Sequence, residues 1–361
     1  MDEASVRDVL SDVEDPDLND DIVSLGLLGD VTVDDDQVRV ELRLTAVGSP
    51  VEESIRSSVR EALEDAGLDV TLETARDDDG EEGAGVENVG PGSEGEETRP
   101  LESISNVITV ASGKGGVGKT TIAVNLAAGL AARGASVGLF DADMYGPNVP
   151  RMLNVTDRPQ GTPDEKVLPP EAYGMRVISL GLLLGEDDPV IWRGPMVHNT
   201  ITQLVDDVVW GDLDYLVIDL PPGTGDTQLT LLQTIPITGS VIVTTPQEIA
   251  LEDARRGLEM FAKHDTPVLG IVENMSTFVC PDCGSEHDIF GSGGGREFAE
   301  ASDMPFLGEI PLDTAVRTGG DEGKPIVLDE EARTGDSLRS MVAETANMVG
   351  ILNRRAASES S

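Results

Sequence analysis

The chain has 361 residues, length enough for one large hydrophobic core and one small one. Its 68 acidic against 25 basic residues give a formal net charge of −43 at pH 7, a field that argues against nucleic acid and anionic membranes as partners. Lysine is confined to Lys114, Lys119, Lys166, Lys263 and Lys324, and scattered acid with so little lysine is the composition of a halophilic surface, where strong screening makes excess charge tolerable.

From the first residue, Met1-Asp2-Glu3 offers neither the basic nor the apolar region of a signal peptide, and no apolar run approaches 18 residues. The expectation is a soluble, cytoplasmic protein. Residues 1–76 read as a small α+β domain. Period-two alternation over 30–33 and 38–44 predicts two strands, with residues 34–37 (DDDQ) as the hairpin turn. Val51, Ile55, Val59, Leu63 and Ala66 then form a helical stripe with Gly67 where a C-terminal cap belongs, and 68–72 reads as a third strand. Residues 77–100 are rich in Asp, Glu, Gly and Pro, with only Val86 and Val89 as sizeable apolar groups. That composition cannot bury enough surface to offset its ordering entropy, so an acidic disordered linker is expected.

Residues 101–361 alternate short apolar runs with helical patterns. The runs at 107–111, 136–140, 215–218, 240–244 and 268–272 lack polar alternation, as strands buried on both faces of a parallel sheet do. Helices are expected at 120–132 and 248–264 between them. The fold class is therefore α/β, a doubly wound, mostly parallel sheet, preceded by the small α+β domain. Near the end, Leu338, Met341, Val342, Thr345, Val349 and Leu352 make a core-facing stripe, and Arg354-Arg355 reads as a meagre basic surface patch.

The strongest chemical signal is Gly113-Lys114-Gly115-Gly116-Val117-Gly118-Lys119-Thr120, which satisfies G-x-x-x-x-G-K-[ST] between an expected strand and an expected helix. Glycines allow the backbone to turn N–H groups onto phosphates, the helix N-terminus adds its dipole, Lys119 reaches the β- and γ-phosphates, and Thr120 ligates Mg²⁺. Thr121 is counted with the same nucleotide site. Two strands end in acid, at Asp141-Ala142-Asp143 and at Asp219, on the sheet edge where such folds bind ligands. Asp219 suits Mg²⁺ through water, Asp143 suits positioning of the attacking water, and Asp141 suits support of Mg²⁺ or of the loop.

Cys280 and Cys283, spaced x-x on a tight turn with His287 nearby, are too few for a disulfide framework and fit a soft metal or redox work. A closed site wants four ligands and one chain offers two thiols. Dimerisation about a two-fold axis would complete a Cys₄ site for a [4Fe–4S] cluster; Zn²⁺ recruiting His287 and a redox thiol pair remain as alternatives.

Lys114, directly after the first glycine, is the deviant form of the loop and resembles the MinD/ParA/nitrogenase-iron-protein class. That resemblance implies that Lys114 contacts the nucleotide of a partner subunit, and hence a homodimer holding two ATP molecules. From about residue 104 to 315 the chain also resembles the Mrp/ApbC family of iron–sulfur cluster carrier ATPases. The resemblance is carried by 112–121 (SGKGGVGKTT), 141–154 (DADMYGPNVPRMLN), 192–196 (WRGPM), 210–226 (WGDLDYLVIDLPPGTGD), 273–291 (ENMSTFVCPDCGSEHDIFG) and 307–313 (LGEIPLD). It implies ATP hydrolysis, a [4Fe–4S] cluster bridging two subunits at Cys280 and Cys283, apo iron–sulfur proteins as recipients, and Asn274 and Pro311 near the adenine. Residues 15–16 and 22–27 resemble the iron–sulfur assembly domain often fused ahead of these ATPases. That domain commonly carries Cys before Pro; here Gly48-Ser49-Pro50 has serine, a poor ligand for soft metal, which points to a docking or architectural role.

Two rival classes have sequence requirements of their own. A positioning ATPase needs a basic amphipathic membrane helix or a DNA-binding patch. A reductase of the nitrogenase type bridges its cluster with cysteines from two separate loops, whereas both thiols here share one turn.

Overall fold

The computed structural model describes residues 2–34, 37–74, 101, 103–144, 146–183, 204, 206–280 and 283–360. The proposed linker at 77–100, the middle of the 34–37 turn and the motif at 192–196 lie outside them.

The N-terminal α+β region begins with helix α1 (Glu3–Leu10), capped by Asp2 accepting from the Ser5 N–H. Strands β1 (Leu28–Asp34) and β2 (Gln37–Leu42) pair antiparallel, and helix α2 (Pro50–Asp65) crosses over to β3 (Asp69–Thr74), which runs parallel to β2. The helix starts where Ser49 caps it and Pro50 presets the first turn, and it stops at Gly67, whose φ of 82° only glycine adopts freely. Ile55, Val59 and Leu63 lie on one face of α2 and join Val38, Val40 and Leu42 in a separate small core. Helix α1 was not anticipated; its acidic composition hides Val6 and Leu10, its two buried residues.

The larger α/β unit is built on β4 (Ile104–Ser112), α3 (Lys119–Ala132), β5 (Val137–Asp141), β6 (Met175–Ser179), β7 (Leu213–Asp219), α4 (Asp226–Thr234), β8 (Gly239–Thr244), α5 (Glu248–Lys263), β9 (Val268–Val279), the short β10 (Glu286–His287), α6 (Gly294–Ala301), β11 (Phe306–Leu312), α7 (Thr314–Glu322) and α8 (Arg333–Ser360). Seven strands run parallel in the order β6-β5-β7-β4-β8-β9-β11, and β10 folds back antiparallel on the tip of β9. Every residue of β5, β7 and β8 is buried, which is why these strands lack polar alternation. The expected run at 268–272 continues to Val279, because the polar stretch after Val272 stays in the sheet by pairing with β11.

Apolar layers cover both sheet faces. On one of them α3 packs against α8 so closely that a methyl group at Gly129 would meet Val342. The C-terminal stripe is core, with Leu338, Met341, Val342, Thr345 and Val349 fully buried.

The reading of Arg354-Arg355 as a surface patch is corrected by the fold. Arg354 is buried and meets three carboxylates of the N-terminal region: Asp15 and Asp17 at 2.6 Å and Glu52 at 3.4 Å. Its Nε and the Asp15 oxygen approach as an ion pair without hydrogen-bond alignment. Burial pushes the Glu52 carboxyl up, against the pull of Arg354 and of the Ala46 N–H that it accepts. Around this cluster Asn106 Nδ2 donates to the Thr45 carbonyl, Asn353 Nδ2 to Thr45 Oγ1 and the Tyr215 hydroxyl to the Val47 carbonyl. Ser49 Oγ donates to Asn347 Oδ1. Asn106 and Tyr215 stand near the starts of β4 and β7, so the N-terminal region docks at the amino edge of the sheet.

Removing the guanidinium would strand buried carboxylates, a change that typically costs about 3–5 kcal/mol. Arg354→Ala is expected to lower stability by about that amount in urea denaturation, and Arg355→Ala, at an exposed site, by less than about 0.5 kcal/mol.

Candidate functional site

Strand β4 ends at Ser112 and the loop 113–118 leads into α3. Gly118 has φ 86°, and a side chain there would also collide with the Asn274 carboxamide, so the position demands glycine twice over. A side chain at Gly113 would strike the backbone of Asp253. Lys119, the first residue of α3, is buried, and its Nζ donates to Asp219 Oδ1 at 2.5 Å and lies 3.9 Å from Asp143 Oδ2. Thr120 Oγ1 donates to the other Asp219 oxygen at 2.7 Å. Four residues read from three separate stretches of sequence thus converge at the carboxyl edge of the sheet.

Asp219 and Asp141 are register partners on β7 and β5. Burial, together with the neighbouring Asp219, pushes the Asp141 carboxyl up to about 7. Asp141 accepts from the N–H groups of Asp143 and Val149 and from Ser179 Oγ, so it ties the segment after β5 to the sheet. Burial raises Asp219 as well, opposed by the Lys119 ammonium and the Thr120 hydroxyl. Lys114 is half-buried beside the loop, its carbonyl accepting from Ser112 Oγ, and the described residues offer its ammonium no ion pair. Thr121 follows on the first turn of α3.

A hydroxyl and a carboxylate side by side are hard oxygen donors, so Thr120 and Asp219 fit Mg²⁺. The loop at a helix N-terminus with a buried lysine fits phosphate. Asn274, buried on β9, donates from Nδ2 to the Val117 carbonyl at 2.8 Å. Its register partner on β11 is Ile310, which puts Pro311 one residue beyond on the adjacent strand.

The thiols lie just past β9. Cys280 is half-buried and Cys283 exposed. Cys280 N–H donates to the Ser285 carbonyl and Gly284 N–H to the Cys280 carbonyl, which closes the turn, while Pro281 and Asp282 lie outside the described residues. Hydrogen bonding with the Ser285 hydroxyl, and secondarily with its backbone, holds the Cys283 thiol below its ordinary range. His287 is exposed on β10, and no group of three or more His, Cys, Asp or Glu side chains able to hold a metal forms among the described residues.

Residues 103–346 match the family model described as the NUBPL iron-transfer P-loop NTPase. The chain belongs to this family. Residues 3–72 match a second model, that of the iron-sulfur cluster assembly protein. Similar to this family member is the iron-sulfur cluster carrier protein of Deinococcus radiodurans, 46% identical over 354 residues, covering 97% of this chain and 96% of its own. The mouse iron-sulfur cluster transfer protein NUBPL is 50% identical over 234 residues, covering 64% and 73% respectively. Among solved structures, the nucleotide-binding protein of Archaeoglobus fulgidus in complex with ADP has a TM-score of 0.57 at 38% identity, over 63% of this chain and 89% of that one. The resemblance to the Mrp/ApbC carriers and the α/β P-loop fold are both borne out.

Sequence reasoning missed two parts of the site in this family member. Glu273, inside a quoted motif but without a role, is fully buried and accepts from the N–H groups of Gly293 and Gly295. Ser179 holds Asp141 across the sheet from a strand that was not anticipated. Charge in a motif flagged the first; nothing local could flag the second.

Because folding raises the proton affinity of Asp141, its contribution to stability is complete below the unfolded value near 4 and is lost as pH rises to about 7. Asp141→Asn lacks this titration. Its melting temperature relative to the parent should therefore rise by several degrees between pH 5 and pH 8.5, as differential scanning fluorimetry would measure; an offset independent of pH would contradict it.

Proposed function

We propose that this protein is an ATP-hydrolysing iron–sulfur carrier that holds a [4Fe–4S] cluster between two copies of the chain and passes it to apoproteins. The observation that carries this reading is the placement of two chemistries on one sheet edge: Lys119, Thr120 and Asp219 converge at the loop that Asn274 of strand β9 holds at Val117, and the same strand ends in the Cys280/Cys283 turn, where Cys283 is exposed. The relatives named as cluster carriers and the ADP-bound neighbour support it.

In this reading the α/β unit, residues 101–361, is the ATPase domain, residues 1–76 are the assembly-type domain and 77–100 the linker. ATP is the substrate of the P-loop. Its phosphates are held by the loop amides and Lys119, and Mg²⁺, which would neutralise charge on the phosphates, is held by Thr120 and Asp219. Asp143 orients the water that attacks the γ-phosphorus, and the bond to the ADP oxygen breaks. Lys114 reaches the nucleotide of the second subunit, and Asn274 and Pro311 border the adenine. The cluster is cargo. Two thiols per chain satisfy four iron sites only when a two-fold axis brings two chains together. The lowered Cys283 thiol supplies thiolate readily, and the exposure of the turn allows release. Ser49, buried against Asn347, suits docking and not ligation. The cytoplasm is the compartment in which such free thiols persist.

Lys119→Ala is expected to abolish Mg-dependent ATP turnover, measured as phosphate release, and Lys114→Ala to reduce turnover far more than nucleotide affinity. Equal loss of both in the latter variant would place Lys114 in its own subunit's site.

After anaerobic reconstitution the protein should carry about four irons per dimer. Cys280→Ser and Cys283→Ser should each lose nearly all of that iron while still binding nucleotide. Stoichiometric zinc in a monomer that ignores iron and sulfide would overturn the cluster assignment.

A further inference from the structure

Glu273 and Asn274 are consecutive residues on β9, so their side chains leave opposite faces of the sheet. Each ends on a different functional segment. Asn274 donates to the Val117 carbonyl and packs against Gly118, inside the P-loop. Glu273 reaches the other way and accepts from Gly293 N–H at 3.0 Å and Gly295 N–H at 2.5 Å. Those amides lie where the chain, having carried Cys280 and Cys283 out and back, returns to the core and enters α6. The described residues give this fully buried carboxylate no cationic partner, and these two backbone bonds are what hold it.

The backbone changes character at the same point. Met275 has φ 55°, a conformation uncommon for a side-chain-bearing residue, and the pairing of β9 with β11 shifts register between Asn274 and Phe278. The regular register of the sheet is therefore interrupted directly after the residue that grips the P-loop, and the strand resumes at Phe278 before the thiol-bearing turn. Its outgoing arm is continuous with Asn274 and its returning arm is clasped by Glu273. A displacement of Val117 and Gly118 has a direct mechanical route to both arms, through one peptide unit.

We propose that Glu273 and Asn274 are positioning residues that couple nucleotide occupancy of the P-loop to the presentation of Cys280 and Cys283. The proposal rests on the nucleotide and cluster roles given above and adds the route between them. Coupling of this kind is reciprocal: a nucleotide that changes thiol or cluster affinity by some factor has its own affinity changed by the same factor.

The test uses the full-length protein without cluster. The rate of Cys283 alkylation by iodoacetamide is followed by mass spectrometry, with and without saturating Mg²⁺ and a non-hydrolysable ATP analogue. The parent protein is expected to change rate about 5-fold or more on binding nucleotide, within the usual range of coupling. Glu273→Gln should bring that ratio to about 1 while a fluorescent analogue still saturates it. Ser276→Ala, which removes a buried hydrogen bond to the Ile310 carbonyl further along the same strand, should keep the parental ratio. Hydrogen exchange at Gly293 and Gly295 in the parent, which needs no variant to fold, should also respond to nucleotide.

Retention of the full ratio in Glu273→Gln, its equal loss in Ser276→Ala, or unresponsive amides at 293 and 295 would each overturn the link. A parent whose thiols ignore nucleotide, yet which hydrolyses ATP and carries a cluster, would overturn the link and leave the proposed function standing. A parent that binds no nucleotide would remove both.

Discussion

A lysine ammonium, a threonine hydroxyl and an aspartate carboxylate share the buried carboxyl edge of the central sheet, and the arrangement of the α/β unit answers to that contact. Lys119 and Thr120 can reach Asp219 only because α3 begins directly after a loop that turns on glycines, and because β4 and β7 are adjacent in the sheet. Burial makes the pairing strong and also makes each group costly alone. Strand β7 beneath it is buried throughout, and β4 at all but Ser105, so the charged edge stands on an apolar platform. Asp141, one strand further on, carries the consequence of crowding a second carboxylate into the same place: its proton is held to about pH 7.

At the same edge a single strand links the nucleotide loop to the thiol turn. β9 touches the P-loop through Asn274 and, past the register shift that follows, ends at the thiols. The thiol turn itself is held locally, by the Cys280–Ser285 and Gly284–Cys280 backbone bonds. The turn is thus fixed at its base by backbone bonds and open to solvent at Cys283.

What could be read from the sequence was what local pattern encodes. Apolar runs without alternation marked the buried strands, the Gly-rich motif located the nucleotide site, and acids at strand ends located Asp141, Asp143 and Asp219. What could not be read depends on partners distant in the chain. Arg354 looked like a surface charge because its neighbours in sequence are polar; its partners Asp15, Asp17 and Glu52 lie some three hundred residues away. Glu273 gave no role because its ligands are backbone amides, which no residue type reveals. Strand β9 was read short because pairing with β11 overrides its polar composition, and α1 was missed because an acidic helix shows only two buried residues.

The Arg354 cluster also orders events in time. Glu52 and Arg354 are separated by 302 positions, so the three acids of the N-terminal region are synthesised long before the guanidinium that they share in the folded interface. The buried residues of the small α+β core all lie before residue 69, yet its acidic docking face meets Arg354 only when the last helix has left the ribosome. A chain stalled or shortened before Arg354 therefore keeps the Asn106, Tyr215 and Asn347 contacts to the first region but leaves Asp15, Asp17 and Glu52 without their shared guanidinium.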